Sequence, residues 1–245
     1  MKILNIILKT LLLLGTLAYL VFALVKVSRP TEEMVCTGVE IQIADSGQIC
    51  LIDKAGIETY LAKQKISPKG RTLADVDIKG VEAKLSANPY IDTVNVFHTA
   101  TGKLCIRVRP YHPMIHIMAQ DGDEFYIDDN GTIIPASDIA TELPIVTGYV
   151  TRSFASTKLV TLGKYLRDDK YWHEQAQQID IDKQGRVELI PRFADQHILL
   201  GEPKNIADKL TRVRMFYDKA MPKVGWNKYK TINATYKGQI ICTKQ

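Results

Sequence analysis

The sequence predicts an α+β protein with three parts: an amino-terminal transmembrane helix, a small domain of three strands and two helices, and a β-rich domain with two helices. Three observations predict it. Ile3–Val25 is an almost unbroken apolar run. A strand-helix-helix-strand-strand order leads from there to Pro110, and a three-stranded sheet on two helices is the simplest way to bury those apolar faces. Beyond Pro113 the pattern changes to short alternating strands separated by turn residues. The boundaries expected are 1–29 for the anchor with its stub, 33–110 for the small domain and 113–245 for the β domain.

In the first part only Asn5, Lys9, Thr10 and Thr16 interrupt the apolar run, and an uncharged core extends from Thr10 to Val25. A bilayer core of ~30 Å needs about 20 helical residues. Lys9 can snorkel, which lets the preceding Ile-Ile-Leu turn contribute. The competing reading is a cleaved signal peptide with Val21-Phe22-Ala23 as its site. That triplet lies inside the run rather than after it, so an uncleaved anchor is expected. Lys2 and Lys9 precede the core and Lys26 and Arg29 follow it, which leaves the positive-inside count nearly balanced. These four account for most of the net charge of +5, and the remaining chain carries 28 basic against 27 acidic side chains. A folded part so close to neutral argues against a nucleic-acid binder, which needs a basic stripe.

The small domain opens, after a linker at Ser28–Glu33, with a strand near Val35–Ile43 that turns Val39, Ile41 and Ile43 inward. Asp45-Ser46-Gly47 makes a turn. A helix around Lys54–Lys65 sets Ile57, Tyr60 and Leu61 on one side, and Pro68-Lys69-Gly70 makes a loop. Asp77 caps a second helix whose Ile78, Val81 and Leu85 share a face, and Asn88-Pro89 stops it, because a residue before proline is pushed out of the α region. A hairpin turning at Gly102 follows, its second strand alternating Leu104, Ile106 and Val108 with Lys103, Arg107 and Arg109. Two prolines in Pro110-Tyr111-His112-Pro113 prevent regular structure from running through.

In the β domain, strands are predicted at Ile115–Met118, Phe125–Asp128, Thr132–Ile134 and Leu143–Val146, with Asp129-Asn130-Gly131 as a type I′ turn. A helix over Ser156–Arg167 carries Leu159, Leu162 and Leu166. A second hairpin pairs Ile179–Ile181 with Val187–Ile190, and His197–Leu200 adds a strand. A longer helix, Ile206–Met221, aligns Ile206, Leu210, Val213, Tyr217 and Ala220. A third hairpin joins Tyr229–Tyr236 to Gln239–Thr243 at Lys237-Gly238.

Catalytic signatures are missing. His112 and His116 have a zinc-like spacing, but Pro113 interrupts it, and four-residue spacing in a strand does not bring two side chains together. The acids Asp121, Asp123, Glu124, Asp128 and Asp129 lack the twelve-position calcium pattern. Phosphate loops and nucleophile elbows do not occur. Asn233-Ala234-Thr235 matches a glycosylation triplet inside a predicted strand. Trp172 and Trp226 read as core or lid residues. Cys36, Cys50, Cys105 and Cys242 follow no metal spacing. Apolar thiols in strands are the favoured reading, with a Cys36–Cys50 disulfide as the alternative. Neither metal nor cofactor is expected. The positive signal lies in the last hairpin: Ile240, Ile241 and Cys242 make an apolar strand which, at a sheet edge, accepts a partner strand by β-augmentation. The alternative is that Ile240 and Cys242 only cover the core while Lys244 guards the edge.

The helix, then Asn88-Pro89-Tyr90-Ile91, then a hairpin ending in Arg107-Val108-Arg109-Pro110, resembles a POTRA module. More specifically it resembles that of the FtsQ/DivIB family, the single-pass division proteins of bacteria. The tail Lys223–Thr243, KVGWNKYKTINATYKGQIICT, is similar to the end of the Bacteroidetes-type version. The resemblance runs from the anchor to Gln245 and is weakest over residues 149–194. It implies a non-enzymatic scaffold in the cell inner membrane, amino terminus cytoplasmic and domains periplasmic, working in septum formation. It further implies small bitopic coiled-coil partners of the FtsB/FtsL type, contacted by Tyr236, Gly238, Gln239, Ile240, Ile241 and Cys242, with membrane lipid as the only other partner. The POTRA part would serve recruitment through the helix bearing Lys79, Glu82 and Lys84 and the strand Val39–Ile43. The sequence departs from the enterobacterial pattern by ending almost at once after the terminal strand, and it has Thr243 where that pattern places an aromatic. Two other functions stay open: an anchored POTRA protein in polypeptide transport or outer-membrane assembly, and an anchored envelope enzyme. The first lacks the ~10-residue barrel strands of an integral outer-membrane component, and the second has no positive residue evidence.

Overall fold

The computed structural model describes residues 2–28, 35–44, 49–66, 68, 70–99, 101–192 and 195–244. Helix α1 is Lys2–Ser28, with side chains described continuously from Lys9 to Leu24. Leu11, Leu12, Leu13 and Leu14 are all more than half exposed, so apolar side chains point outward on every side of the helix. Those sixteen consecutive residues rise only ~24 Å. Among the described residues, no helix is long and apolar enough to cross a membrane. The anchor expected over Ile3–Val25 extends past that stretch at both ends. Most of the linker expected at Ser28–Glu33, the turn at Asp45-Ser46-Gly47 and Lys69 also lie outside the described residues.

The chain divides into two compact units, Met1–Ala44 with Asp53–Arg109, and Asp45–Ile52 with Pro110–Gln245. In the first, β1 (Val39–Ile43), α2 (Lys54–Lys63), α3 (Ile78–Ser86), β2 (Ile91–His98) and β3 (Leu104–Pro110) form a sheet of order β1-β3-β2 with two helices. Both helices start on an aspartate cap: Asp53 accepts from the Gly56 N–H (2.7 Å) and Asp77 from that of Gly80 (2.9 Å). Asn88 is buried, its amide oxygen accepting from the Tyr90 N–H (3.0 Å), which fixes the corner after α3. Ile57, Leu61, Val81 and Leu85 of the helices and Ile41, Leu104, Ile106 and Val108 of the strands are all buried. Strand β1 is shorter than expected: Val35 makes only an isolated bridge to Thr72, and pairing with β3 begins at Val39. Leu104 N–H donates to Gly38 O and Ala44 N–H to Val108 O, so the even-numbered residues of β1 face β3. The polar backbone groups of Val39, Ile41 and Ile43 therefore point to the open edge.

The second unit contains β4 (Ile115–Ala119), β5 (Glu124–Ile127), β6 (Ile133–Pro135), β7 (Ile145–Gly148), α4 (Arg152–Phe154), a π-helical turn at Ala155–Leu159, α5 (Val160–Asp168) and α6 (Lys170–Gln175). It continues with β8 (Ala176–Ile181), β9 (Val187–Pro191), β10 (His197–Gly201), α7 (Ile206–Lys219), α8 (Met221–Val224), β11 (Tyr229–Asn233) and β12 (Ile241–Lys244). All nine strands join one sheet of order β12-β11-β10-β9-β8-β7-β4-β5-β6. The registers line up one inward row across it: Phe125, Ile117, Val146, Ile179, Leu189, Ile198, Ile232 and Cys242. This row packs with Leu159, Leu162, Leu166, Trp172, Leu210, Val213 and Tyr217 in a single core. The next row, Glu124, Met118, Thr147, Asp180, Glu188, Leu199, Asn233 and Ile241, is half-buried or exposed on the other face.

The first predicted helix of this unit is interrupted by the π-helical turn, and the second runs unbroken from Ile206 to Lys219, two residues short of the expected Met221. The first starts earlier, at Arg152, where Thr151 caps it through the Phe154 N–H (3.2 Å). The Thr157 hydroxyl then donates to Ser153 O (2.7 Å), competing for the carbonyl that a regular turn would use and widening the helix there. The Asn130-Gly131 turn is not type I′, since positive φ falls on Gly131 (79°) and not on Asn130. Asp128 instead accepts from the N–H groups of Asn130 (2.9 Å) and Thr132 (2.7 Å), closing a three-residue loop with glycine at the left-handed position. The same loop recurs at Asp182–Arg186 and Ala119–Asp123, with Gly185 and Gly122 in Gly131's role.

Candidate functional site

The candidate interface is built from the end of the chain inward. Strand β11 runs parallel to β10 and β12 returns antiparallel, which makes β12 one edge of the nine-stranded sheet. Ala234 N–H donates to Leu199 O (2.9 Å), so Ile232 and Ala234 face β10 while Thr231 and Asn233 face β12. Their partners are Thr243 and Ile241. Alternation then points the backbone groups of Cys242 and Lys244 away from the sheet, toward the unpaired edge. Side chains alternate with the same period. Cys242 packs against the core opposite Ile232, and Ile241 is 48% exposed on the outer face.

The six expected contact residues thus separate into two groups. Ile241 and Cys242 stand in the edge strand, and Ile240 is half-buried against the core just before it. Tyr236 (52% exposed), Gly238 (φ 74°) and Gln239 lie in the connection, not in a strand. The strands are accordingly shorter than the predicted Tyr229–Tyr236 and Gln239–Thr243. Two interactions shorten them. Asn233 accepts from the Thr235 N–H (2.9 Å), bending the chain after β11. The Arg212 guanidinium, reaching from α7, donates to the carbonyls of Tyr236 (2.6 Å), Gln239 (2.8 Å) and Ala234 (3.2 Å). Asp208 one turn earlier pairs with it at 3.2 Å. Sequence reasoning missed Arg212. An Asp-x-x-x-Arg spacing on a helix reads as an ordinary solvated pair, and nothing local says that a distant hairpin will fold over it.

The other residues singled out are spent on structure. His116 Nε2 lies 2.8 Å from Glu124 on the outer face, and the ring stacks on Tyr126 at 4.3 Å. His112 precedes β4 and its Nδ1 lies 3.2 Å from Ile49 O. Among the described residues no group of three or more His, Cys, Asp or Glu is arranged to hold a metal ion. Asp123 takes a two-pronged pair from Arg152 (2.7 and 2.8 Å), which holds its carboxyl below the usual range. His197 pairs with Glu188 beside it on the sheet. Trp172 is fully buried, with Tyr171 edge-on at 5.1 Å. All four cysteines are free, and burial pushes the Cys105 and Cys242 thiols up. In the first unit, Lys79 and Lys84 are exposed on α3, Glu82 is half-buried and β1 is a sheet edge.

Residues 112–243 match the family model described as FtsQ/DivIB, C-terminal related, and residues 34–109 match the model of a POTRA-like domain. No curated protein matches the chain. The first match covers more than half of the chain and includes the whole nine-stranded sheet but for the last residue of β12. With a POTRA-like domain placed ahead of that sheet, the chain belongs to the FtsQ/DivIB family and has a role in cell division.

Proposed function

We propose that this protein is a membrane-anchored, non-catalytic scaffold of the division machinery whose terminal strand takes up a strand from a small bitopic coiled-coil partner of the FtsB/FtsL type. One observation carries the reading. Strand β12 is a sheet edge, with the backbone groups of Cys242 and Lys244 turned outward and the apolar side chain of Ile241 exposed beside them. A strand laid against it gains main-chain hydrogen bonds, and alternate side chains on the outer face then read Ile241 and Tyr236. The anchor is α1, held in the inner membrane with its amino terminus cytoplasmic and both units periplasmic. Support for this anchor comes from the sequence, whose apolar run Ile3–Val25 is long enough to supply the about 20 helical residues that a bilayer core needs. In this reading 1–29 anchors, 33–110 recruits through the exposed side of α3 and the edge of β1, and 113–245 holds the partner.

The test is photocrosslinking in cells from a photoreactive residue at position 241, with mass spectrometry of the adduct. A small single-pass coiled-coil division protein is the expected adduct. A transport substrate or an outer-membrane assembly factor in its place overturns the proposal.

A further inference from the structure

The connection between β11 and β12 spans residues 234–240, too long for a tight turn to fix how the two strands align. Register matters here more than elsewhere in the sheet. Side chains alternate with period two, so a slip by one residue sends Cys242 outward and Ile241 inward, and moves the outward backbone groups from Cys242 and Lys244 to their neighbours. Something other than the turn must set it. Three carbonyls of that connection, Ala234, Tyr236 and Gln239, converge on the guanidinium of Arg212, whose side chain is only 16% exposed. Arg212 is in turn fixed by α7, whose Leu210 and Val213 are fully buried on either side of it, and by its pair with Asp208. A planar fork of donors meeting carbonyls on both sides of Gly238 measures the loop as well as closing it.

We infer that Arg212 is a positioning residue that locks β12 onto β11 in the one register that turns Ile241 out and Cys242 in. The inference rests on the edge reading above for its purpose, but its test needs no partner. In the detergent-solubilised full chain with Cys50→Ser, the rate of maleimide labelling reports the exposure of Cys242, because Cys36 and Cys105 are buried. Arg212→Met is expected to speed labelling at Cys242 by about tenfold or more, the loss of hydrogen bonds from one charged donor. Arg212→Lys, which keeps the charge without the fork, is expected to fall between, and it carries the comparison if the methionine variant does not fold. A reciprocal probe, Ile241→Cys with Cys242→Ser, distinguishes the two ways of losing the lock: slower labelling on removing Arg212 marks a slipped register, unchanged fast labelling a detached strand. Labelling of Cys242 at the parent rate in a folded Arg212→Met chain overturns the inference. Failure of the edge reading shows elsewhere, as the wrong adduct from position 241 with an intact hairpin.

Discussion

Proline separates the two kinds of backbone group in the terminal strand. At position 241 it deletes an N–H that faces Asn233 within the sheet, and at position 242 an N–H that faces outward. Ile241→Pro removes one bond, worth about 1 kcal/mol net, and strands the Asn233 carbonyl at about 1–3 kcal/mol more. Among the described residues, β12 makes two regular pairs of this kind, Asn233 with Ile241 and Thr231 with Thr243, before the register shifts at Tyr229 opposite Lys244. The expected outcome is local release of the strand rather than unfolding of the unit, with the Thr243 amide exchanging at least about tenfold faster. Cys242→Pro spares both pairs, and proline's restriction of the residue before it suits an extended Ile241. Exchange at Ile241 and Thr243 then stays at the parent rate, while partner capture falls about fivefold, one main-chain bond. The assay is hydrogen exchange with mass spectrometry on the full chain, paired with crosslinking yield from position 236. Equal loss of protection in the two variants refutes the assignment of inward and outward groups.

The three-residue loops with glycine provide a matched series. A Cβ on Gly122 meets nothing within 4 Å, one on Gly185 lies 3.1 Å from a Phe154 ring edge, and one on Gly131 lies 2.4 Å from the Ser156 carbonyl. Alanine at 122 and 185 is expected to cost about 1–2 kcal/mol in denaturant midpoint, the strain of the left-handed conformation, and alanine at 131 clearly more because backbone must move. Three equal costs would sink this reasoning. The Asp123–Arg152 pair gives a pH prediction. The Asp123 carboxyl is depressed in the folded state, so its contribution is present above the ordinary carboxylate range and disappears as pH falls through the lowered value. Asp123→Asn should lower the urea midpoint at pH 7, with the difference from the parent shrinking as pH falls below the ordinary carboxylate range, and a difference that stays constant into acid would assign the effect to packing.

Much of the fold is legible where the physics is local. Asp53 and Asp77 announce helix starts because a short carboxylate reaches the free N–H groups of the first turn. Leu104, Ile106 and Val108 declare a half-buried strand by their period alone. What the sequence hides is non-local. Strand β7 pairs in parallel with both β4 and β8, and β11 in parallel with β10, alignments settled by which apolar rows meet across the core. Asn-Gly at 130–131 reads as one turn type, yet the Asp128 carboxylate, free to bond two amides, selects another. For the candidate site, the apolar character of Ile240–Cys242 was visible in advance. The position of β12 in the strand order, and the side chain from α7 beneath its loop, were not.

The width of the sheet has a consequence of its own. Nine strands spaced ~4.8 Å apart set the β12 edge about 38 Å from the β6 edge. At physiological ionic strength charges are screened over about 8 Å, so a charge arriving at one margin is not felt at the other. The close-packed apolar row from Phe125 in β5 to Cys242 in β12 covers most of that span, and a well-packed apolar row transmits displacement, not sign. Binding at the two margins is therefore independent unless a ligand pushes the row itself. A ligand that merely carries charge changes its own end of the sheet and leaves the far end as it was.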